Sequence, residues 1–407
     1  MTRGLERWLF AFLLLWGIGV LSLEAVASVG LAGCAAGVLV DAALRRATLD
    51  TRGFLRTWAP LLAFVAWALL AGPLAGRWPT GTGLARLSDW LAIPVAARAL
   101  AMVGPARART LALALSGTFL LSCALAALQH FGLWPSPEAF ARLSWTRVPF
   151  YRVYEPVPDA PGRFMAGGLL AHRLKFAHVG GLAVLFALAV GLKARGRDRA
   201  LGLVLAGVGF GSVLFFPYAR AAAVSLAAAG VLVLTVAHPR RRVGLALGAA
   251  GLLLAGLGVA AYPPLRARFA SSFTSAGSGE RDKLLETGLR AVADHPLAGV
   301  GLGRFHPALY ADASTPQAVR DNAGKAHNQF LSIAAELGVP GLLLFLWLLG
   351  SLARAMRPDR ALGVAGLGAL FFFALVSLSH DPLFQAPFSM ALALCLGAAR
   401  VRTPDEA

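Results

Sequence analysis

The sequence has 407 residues, of which 57% are hydrophobic and only 14% are charged, and its formal net charge is +18. A soluble domain of this length does not need so apolar a composition, so we predict a polytopic membrane protein. The positive charge sits mainly in short arginine-rich links between apolar segments, which is typical of membrane topology and argues against a nucleic-acid-binding protein.

Apolar segments close to the length that an α-helix needs to cross a bilayer, about 20 residues, recur along the whole chain. They predict twelve spans, near residues 8–23, 25–44, 57–75, 86–104, 110–130, 176–193, 200–216, 220–237, 243–261, 337–354, 361–379 and 386–400. The first span follows Arg3 and Arg7 and has no small-residue cleavage site, so we interpret it as uncleaved. The predicted fold class is an all-α integral membrane protein with about twelve transmembrane helices.

The short links predict the orientation, because arginine and lysine in short links resist translocation. Basic clusters occur in alternate links, at residues 45–56, 107–109, 193–199, 240–242 and 354–360. All five therefore fall on one side, which we predict to be the cytoplasm, together with both termini.

Two long links then face the periplasm, at residues 131–175 and 262–336. The chain is accordingly divided into three parts. Residues 1–261 contain spans one to nine and the loop 131–175, and residues 262–336 form a large periplasmic loop with short helices. Residues 337–407 contain spans ten to twelve and a cytoplasmic tail. Within the large loop, residues 280–294 carry apolar side chains at helical spacing and predict an amphipathic helix: Leu284, Leu285, Leu289 and Val292. His295-Pro296 is predicted to end it.

Glycines alternate at Gly299, Gly301 and Gly303, directly after this helix. A dinucleotide-binding loop would need a preceding strand and a following helix, which this stretch lacks. We favour a tight turn whose glycines permit close approach of another backbone.

Three motifs follow one another here: DHPLAGVGLGRF at Asp294–Phe305, HNQFL at His327–Leu331 and AELGVPGLLLF at Ala335–Phe345. In order and spacing this stretch resembles the O-antigen ligase and polymerase superfamily of bacterial envelope glycan transferases. The resemblance implies transfer of a glycan from a polyprenyl-diphosphate carrier to an acceptor hydroxyl, at the outer face of the inner membrane. An O-antigen ligase, whose acceptor is a lipid A core sugar, is the first expectation. A polymerase, whose acceptor is another lipid-linked repeat, stays open.

The resemblance also implies catalytic residues. Arg220 and Arg281 match arginines of the family and are expected to stabilise the diphosphate leaving group, since guanidinium binds two phosphate oxygens and stays charged. His327 is expected to take the proton of the acceptor hydroxyl in an inverting single displacement. From the residues alone, Arg220 could equally anchor its helix at the interface, Arg281 could be a surface charge, and His327 could cap a helix or pack under the loop.

Further polar residues are candidates for substrate binding. Arg163, Arg173 and Lys175 lie before or at the outer end of the sixth span and either line a lipid-diphosphate entrance or serve as ordinary interfacial cations. Arg304 either extends the basic surface or is a plain surface charge. Asn328 either contacts substrate or caps the helix that follows it. Glu336 would be buried beside an arginine if that helix begins early.

No metal ion or other cofactor is expected, because the sequence has no DxD pair, no cluster of outward carboxylates and no Walker motif. A polytopic transporter or lipid flippase is a different reading, but such proteins commonly show repeat-related halves and this chain shows none. A third hypothesis is a non-catalytic scaffold for an envelope complex.

Overall fold

The computed structural model describes residues 3–44, 51–142, 153–170, 172–271, 281–306 and 326–401. In these ranges the chain is nearly all helical, with one two-residue antiparallel strand pair, β1 (Glu155–Pro156) and β2 (Phe164–Met165). The first helices are α1 (Arg3–Val20), α2 (Glu24–Leu44), α3 (Thr51–Leu74), α4 (Gly81–His130), α5 (Pro137–Ala141), α6 (Arg173–Lys193) and α7 (Gly196–Phe215). The others are α8 (Arg220–Ala237), α9 (Arg241–Ala261), α10 (Pro263–Ala270), α11 (Arg281–Asp294), α12 (Gln329–Ala355), α13 (Ala361–Ser377) and α14 (Ala386–Ala399), with short 3₁₀ turns at Gly168–Leu170 and Pro382–Phe384.

Nine helical segments in the described ranges are long and apolar enough to cross a membrane, counting the two halves of α4 separately. Helices α13 and α14 are apolar but shorter, and α1 carries Arg3, Glu6 and Arg7 within its 18 residues. An integral membrane all-α protein is thus confirmed, while the count of twelve spans stays a prediction.

Glycines divide two of the long helices. Gly104 has φ 72° and ψ 165° inside α4, so the predicted spans 86–104 and 110–130 are two segments meeting at a kink. Gly338 has φ 71° and ψ 179° inside α12. Helix α12 begins at Gln329, before the kink and before the predicted span 337–354, and the Asn328 side chain caps it by accepting the Leu331 N–H at 3.1 Å.

An aromatic cluster joins five helices at the centre of the bundle. The ring centroids of Phe345 lie 5.4 Å from Phe64 and 5.3 Å from Trp90, and those of Phe373 and Phe388 are 6.2 Å apart. Such pairs add about 0.5–1.5 kcal/mol each beyond their burial. Because these rings come from α3, α4, α12, α13 and α14, they fix the C-terminal helices against the N-terminal ones.

Contacts between distant links define one end of the bundle, which we call the His327 end. Lys175 Nζ bonds Glu24 Oε2 at 2.9 Å, Arg77 Nη1 donates to the Gly299 carbonyl at 3.0 Å, and Asn328 Nδ2 reaches the Leu378 carbonyl at 3.4 Å. At the opposite end, Arg107 pairs with Glu6 at 2.5 Å and Arg109 with Asp198 at 2.9 Å. Two of the predicted basic links, at residues 107–109 and 193–199, thus lie at the same end, while the orientation of the bundle in the membrane stays a prediction.

Helix α11 lies against α12, but the apolar face predicted for it was partly wrong. Leu284 is buried against Phe305 and Ala335, whereas the side chains of Leu285 and Leu289 are 43% and 56% exposed. The buried stripe passes instead through Gly288, where an added Cβ would lie 2.6 Å from Leu331 Cδ2. Glu280, the predicted first residue of this helix, lies outside the described residues.

Candidate functional site at the His327 end

The glycine turn, residues 299–303, packs directly onto the backbone of α12. The Val300 N–H donates to the Ala335 carbonyl at 2.8 Å and the Gly301 N–H to the Glu336 carbonyl at 3.0 Å. Gly299 has φ 65°, and a Cβ there would lie 2.3 Å from the Glu336 carbonyl carbon. This geometry agrees with the predicted close backbone approach.

The same turn is held from its other side by the link between α3 and α4. Arg77 donates to the Gly299 carbonyl, and its Nη2 lies 3.3 Å from His295 Nε2. Arg304 Nε donates to the Trp78 carbonyl at 2.6 Å, so this candidate substrate-binding arginine is held against the link. The turn is therefore clamped between α12 and residues 77–83, and any ligand next to it meets a fixed backbone.

His327 lies immediately before α12 in an uncommon backbone conformation. Its φ is 53°, in a region that few residues other than glycine occupy, although histidine is among those enriched there. Asn328 then caps the helix and donates to the Leu378 carbonyl. The Asn328 cap and the positive φ of His327 together set the direction in which the His327 ring leaves the backbone.

A polar cluster surrounds this position. The His327 and His380 ring centroids are 6.5 Å apart, and His380 lies 5.5 Å from the fully buried His178. Nδ1 of His178 lies 3.1 Å from Gln385 Oε1, and Nδ1 of His380 lies 3.0 Å from Ser379 Oγ. Sequence reasoning missed His178, although an ionisable residue inside a predicted span is a functional signal by default.

Segment 381–385 is tied to α12 below His327. Ser332 Oγ donates to Asp381 Oδ1 at 2.5 Å, and the Leu383 N–H donates to Gln329 Oε1 at 3.1 Å. Both bonds are buried, where a lost partner costs about 1–3 kcal/mol. The start of α12 is thereby held rigidly by the link between α13 and α14.

Three of the predicted cations gather around residues 216–220. Arg173 pairs with Glu155 at 2.5 Å and its Nη1 reaches the Pro217 carbonyl at 3.4 Å. Arg163 lies over the Phe131 ring, 4.6 Å from its centroid. Arg220, the first residue of α8, donates through Nη1 to the Arg268 carbonyl at 2.9 Å and to Ser271 Oγ at 2.8 Å. We call Arg163, Arg173 and Arg220 the arginine group.

Tyr218 is buried within this group. Burial raises the pKa of its phenol above the ordinary value, and the neighbouring Tyr262 adds to the shift, while nearby Arg163 opposes it. Tyr218 is therefore a neutral O–H group at physiological pH.

The other predicted site residues lie elsewhere. Lys175 pairs with Glu24 at the start of α2. Arg281 is the first described residue of α11, and its side chain lies outside the described residues. The structure thus brings together the arginine group, and it places His327 in a second group with His178 and His380.

A cavity of about 840 Å³ opens between α2, the first half of α4 and residues 383–390, and Gly303, His306 and Glu336 also line it. Its lining contains an ion pair, Arg86 Nη2 to Glu336 Oε1 at 3.1 Å, with the guanidinium carbon 3.9 Å from the centre of the Phe384 ring. The conditional prediction for Glu336 is confirmed: the helix begins early, the side chain is buried, and its partner is an arginine. Asp89, which also lines the cavity, accepts a hydrogen bond from Ser389.

Arg86 and Asp89 were not among the candidates from the sequence. Like His178, both are ionisable residues inside a predicted span (86–104), and this alone could have marked them as candidates. The fold and these side chains define a class: a multi-pass helical membrane protein with a polar site at one end of its bundle.

Residues 205–346 match the family model described as O-Antigen ligase. This stretch contains Arg220, Arg281, Arg304, His327 and Asn328, and it confirms the resemblance to the O-antigen ligase-like superfamily. The match supports a bacterial multi-pass membrane enzyme of the ligase or polymerase type. A comparison with curated proteins finds no match.

Proposed function

We propose that the protein is an O-antigen ligase-like glycosyltransferase of the bacterial inner membrane. It moves a glycan from a polyprenyl-diphosphate carrier to an acceptor hydroxyl, with lipid A core as the acceptor. The His327 end faces the periplasm and both termini lie in the cytoplasm, as the arginine-rich links indicate. The polymerase of the same superfamily would differ in its acceptor, a second lipid-linked glycan.

The observation that carries this proposal is the placement of His327. It precedes α12 inside the matched stretch, at the end of the bundle where the arginine group lies, and its backbone is fixed by the Asn328 cap and by residues 378–385. Unusual backbone conformations held by their surroundings cluster at functional sites.

The chemistry follows from these side chains. The acceptor oxygen attacks the anomeric carbon of the donor sugar while His327 takes the hydroxyl proton. The bond between that carbon and the diphosphate oxygen breaks with its electron pair, so polyprenyl diphosphate leaves and the sugar configuration inverts. Arg220 and Arg281 stabilise the negative charge on the leaving group. Arg220 is held in advance by Arg268 and Ser271, which reduces the reorganisation required during reaction.

The remaining predicted cations serve to bind the donor. Arg173 contacts Pro217 and Arg163 lies near Tyr218, just before Arg220, and both favour the carrier's diphosphate electrostatically. Lys175, paired with Glu24, and Arg304, bonded to the Trp78 carbonyl, add positive charge at the same end of the bundle. The Asn328 side chain already bonds the Leu331 N–H and the Leu378 carbonyl. We therefore assign Asn328 mainly to positioning His327 and only secondarily to binding substrate.

The test is glycan transfer by purified protein in lipid nanodiscs, supplied with a polyprenyl-diphosphate-linked glycan and an acceptor. His327→Ala should lower the rate by about 10²–10⁴, the usual contribution of a general base. His238→Ala is the matched control, because His238 is a half-buried histidine that follows α8 at the opposite end. Full activity of His327→Ala at normal expression would refute the assignment of the base.

The products separate the two acceptors. A ligase transfers the glycan once to lipid A core, whereas a polymerase lengthens the glycan on the carrier. In cells lacking the gene, long polymer retained on the carrier indicates a ligase and single repeats indicate a polymerase. Unchanged surface glycans in those cells would contradict both.

A further inference from the structure

Helix α11 has three faces, which successive residues enter at about 100° per residue. The face packed against α12 carries small and apolar residues: Leu284, Gly288 and Ala291. Charged and exposed residues share a second face: Lys283, Glu286 and Arg290. Leu285 and Leu289 lie on the third face, which is apolar and also exposed. We call Leu285 and Leu289 the outer face of α11.

The outer face leads into the lipid-facing surface of the bundle. Leu297, three residues after α11, is exposed, and a Cβ added at Gly338 would collide with its carbonyl group. Val339, the next residue of α12, donates its N–H to the Pro296 carbonyl at 2.8 Å. Beyond this contact α12 crosses the membrane and exposes Val339 and Leu343. Leu297 therefore lies at the membrane boundary, and the apolar surface of the span continues onto it.

The kink at Gly338 keeps α11 close to this boundary. The rings of Phe330 and Phe345 lie on opposite sides of the kink, with centroids 6.2 Å apart. In a straight helix the same two residues would be about 22 Å apart along the axis. The first turns of α12 therefore fold back toward the span. Because α11 packs on these turns, with a Cβ at Gly288 2.6 Å from Leu331 Cδ2, it stays near the top of the bundle.

The link after α3 adds two exposed apolar side chains to the same rim, Leu74 and Trp78. Arg77 holds this link beside Leu297 by donating to the Gly299 carbonyl at 3.0 Å. Tryptophan is enriched where membrane meets water, because its ring is apolar and its N–H is polar. An interfacial position for the rim follows from its residue types as well as from its place beside the span.

The charges of α11 indicate what kind of surface the helix contacts. The helix contains three basic and three acidic residues, so its formal charge is zero. A strongly charged partner therefore gains little from it, whereas an amphipathic helix binds a lipid surface through its buried apolar area even without net charge.

We infer that α11 is a membrane-surface helix whose outer face, together with Leu297, is inserted into the lipid leaflet at the His327 end. Its partner is the bilayer, and its apolar side chains reach the boundary between head groups and acyl chains, about 5–10 Å deep. The charged face remains in water. This contact holds the start of α11 and the glycine turn at a fixed height above the lipid. The inference goes beyond the proposed function and does not depend on which substrates the protein uses.

Fluorescence quenching in nanodiscs tests the insertion. In a variant whose native cysteines are replaced by alanine, Leu289→Cys carries a bimane label. Lys283→Cys, on the charged face of the same helix, is the matched control, and Leu343→Cys on α12 is the reference for full lipid contact. The nanodiscs contain phosphatidylcholine with a spin label near the top of its acyl chain. Lipid quenching at position 289 should exceed that at position 283 by about threefold, and quenching by aqueous iodide should show the reverse order.

Two results would overturn the inference. Iodide quenching at position 289 that equals the quenching at position 283 would show that the outer face lies in water. Protection from both quenchers at position 289 would show that protein covers this face, either residues 307–325 or a second copy of the chain.

The wild-type protein allows a second measurement that needs no substitution. A phosphatidylcholine with a diazirine in the upper part of its acyl chain should crosslink to peptides containing residues 285–297 as well as to residues 339–347 of the span. Crosslinks confined to residues 339–347 would reject insertion of α11. Neither measurement involves glycan transfer, so a failure of the proposed function would leave this result unchanged.

Discussion

Arg86 and Glu336 are separated by 250 residues in sequence and form an ion pair of 3.1 Å, with side-chain exposures of 18% and 5%. The pair joins α4 to α12 two turns after His327 and lies at the wall of the cavity. It therefore connects the helix that carries the proposed base to the wall of the cavity.

Removing one partner of this pair should destabilise the protein strongly. Arg86→Ala leaves Glu336 buried without its guanidinium, which costs about 3–5 kcal/mol when a buried pair is broken. Arg109→Ala is the control, because the Arg109–Asp198 pair is exposed and should contribute less than about 1 kcal/mol. Thermal unfolding in detergent compares the two, and equal losses would mean that the Arg86–Glu336 pair does not stabilise the fold.

A double-mutant cycle of Arg86→Ala and Glu336→Gln, measured by thermal unfolding, gives the interaction energy of the pair itself. We expect the double variant to lose less stability than the sum of the two single variants, because each single change already removes the interaction. Simple additivity would indicate that each residue acts through other contacts.

Gly299→Ala should be far more damaging than Gly76→Ala. Both glycines have φ near 70°, where an added Cβ costs about 1–2 kcal/mol. Only at Gly299 would this Cβ also meet backbone, at 2.3 Å, whereas Gly76 has open space around it. Thermal unfolding and glycan transfer should both fall further for Gly299→Ala, and a matching loss in the two variants would argue against close packing of the turn on α12.

Asn328 can be tested as a helix cap and as a substrate contact. Asn328→Ala should cost about 1 kcal/mol of stability because the Leu331 N–H loses its acceptor. Asn328→Ser restores a capping oxygen and should recover both stability and transfer if the residue acts by positioning His327. Recovered stability without recovered transfer would instead assign the side chain to substrate binding.

Cysteine accessibility tests the proposed orientation. In a variant whose native cysteines are replaced by alanine, Trp78→Cys should react with a membrane-impermeant thiol reagent on intact spheroplasts, since Trp78 is 72% exposed at the His327 end. Asp359→Cys, at the opposite end, should react only after permeabilisation. The reverse pattern would invert the topology and place His327 away from the periplasmic substrates.

Local features of the sequence were enough to predict much of the architecture. Apolar length predicted the helical segments because a bilayer core requires about 20 residues per span, and the basic links predicted that they alternate in direction. Glycines at positions 299 to 303 predicted close backbone approach because only glycine accommodates it. A helix beginning directly after Asn328 was one of the two interpretations of that residue, and α12 does begin at Gln329 with the Asn328 side chain as its cap.

Residue type and near-neighbour spacing were enough to predict a multi-pass helical membrane protein with its family motifs gathered before one late span, and with His327, Arg220 and Arg281 as candidates. The packing of the helices was needed to show that Arg86 pairs with Glu336, that His380 lies between His178 and His327, and that α2 and α4 line a cavity with Asp89 in its wall. These relationships join helices far apart in the chain, and their geometry depends on how the helices pack against one another.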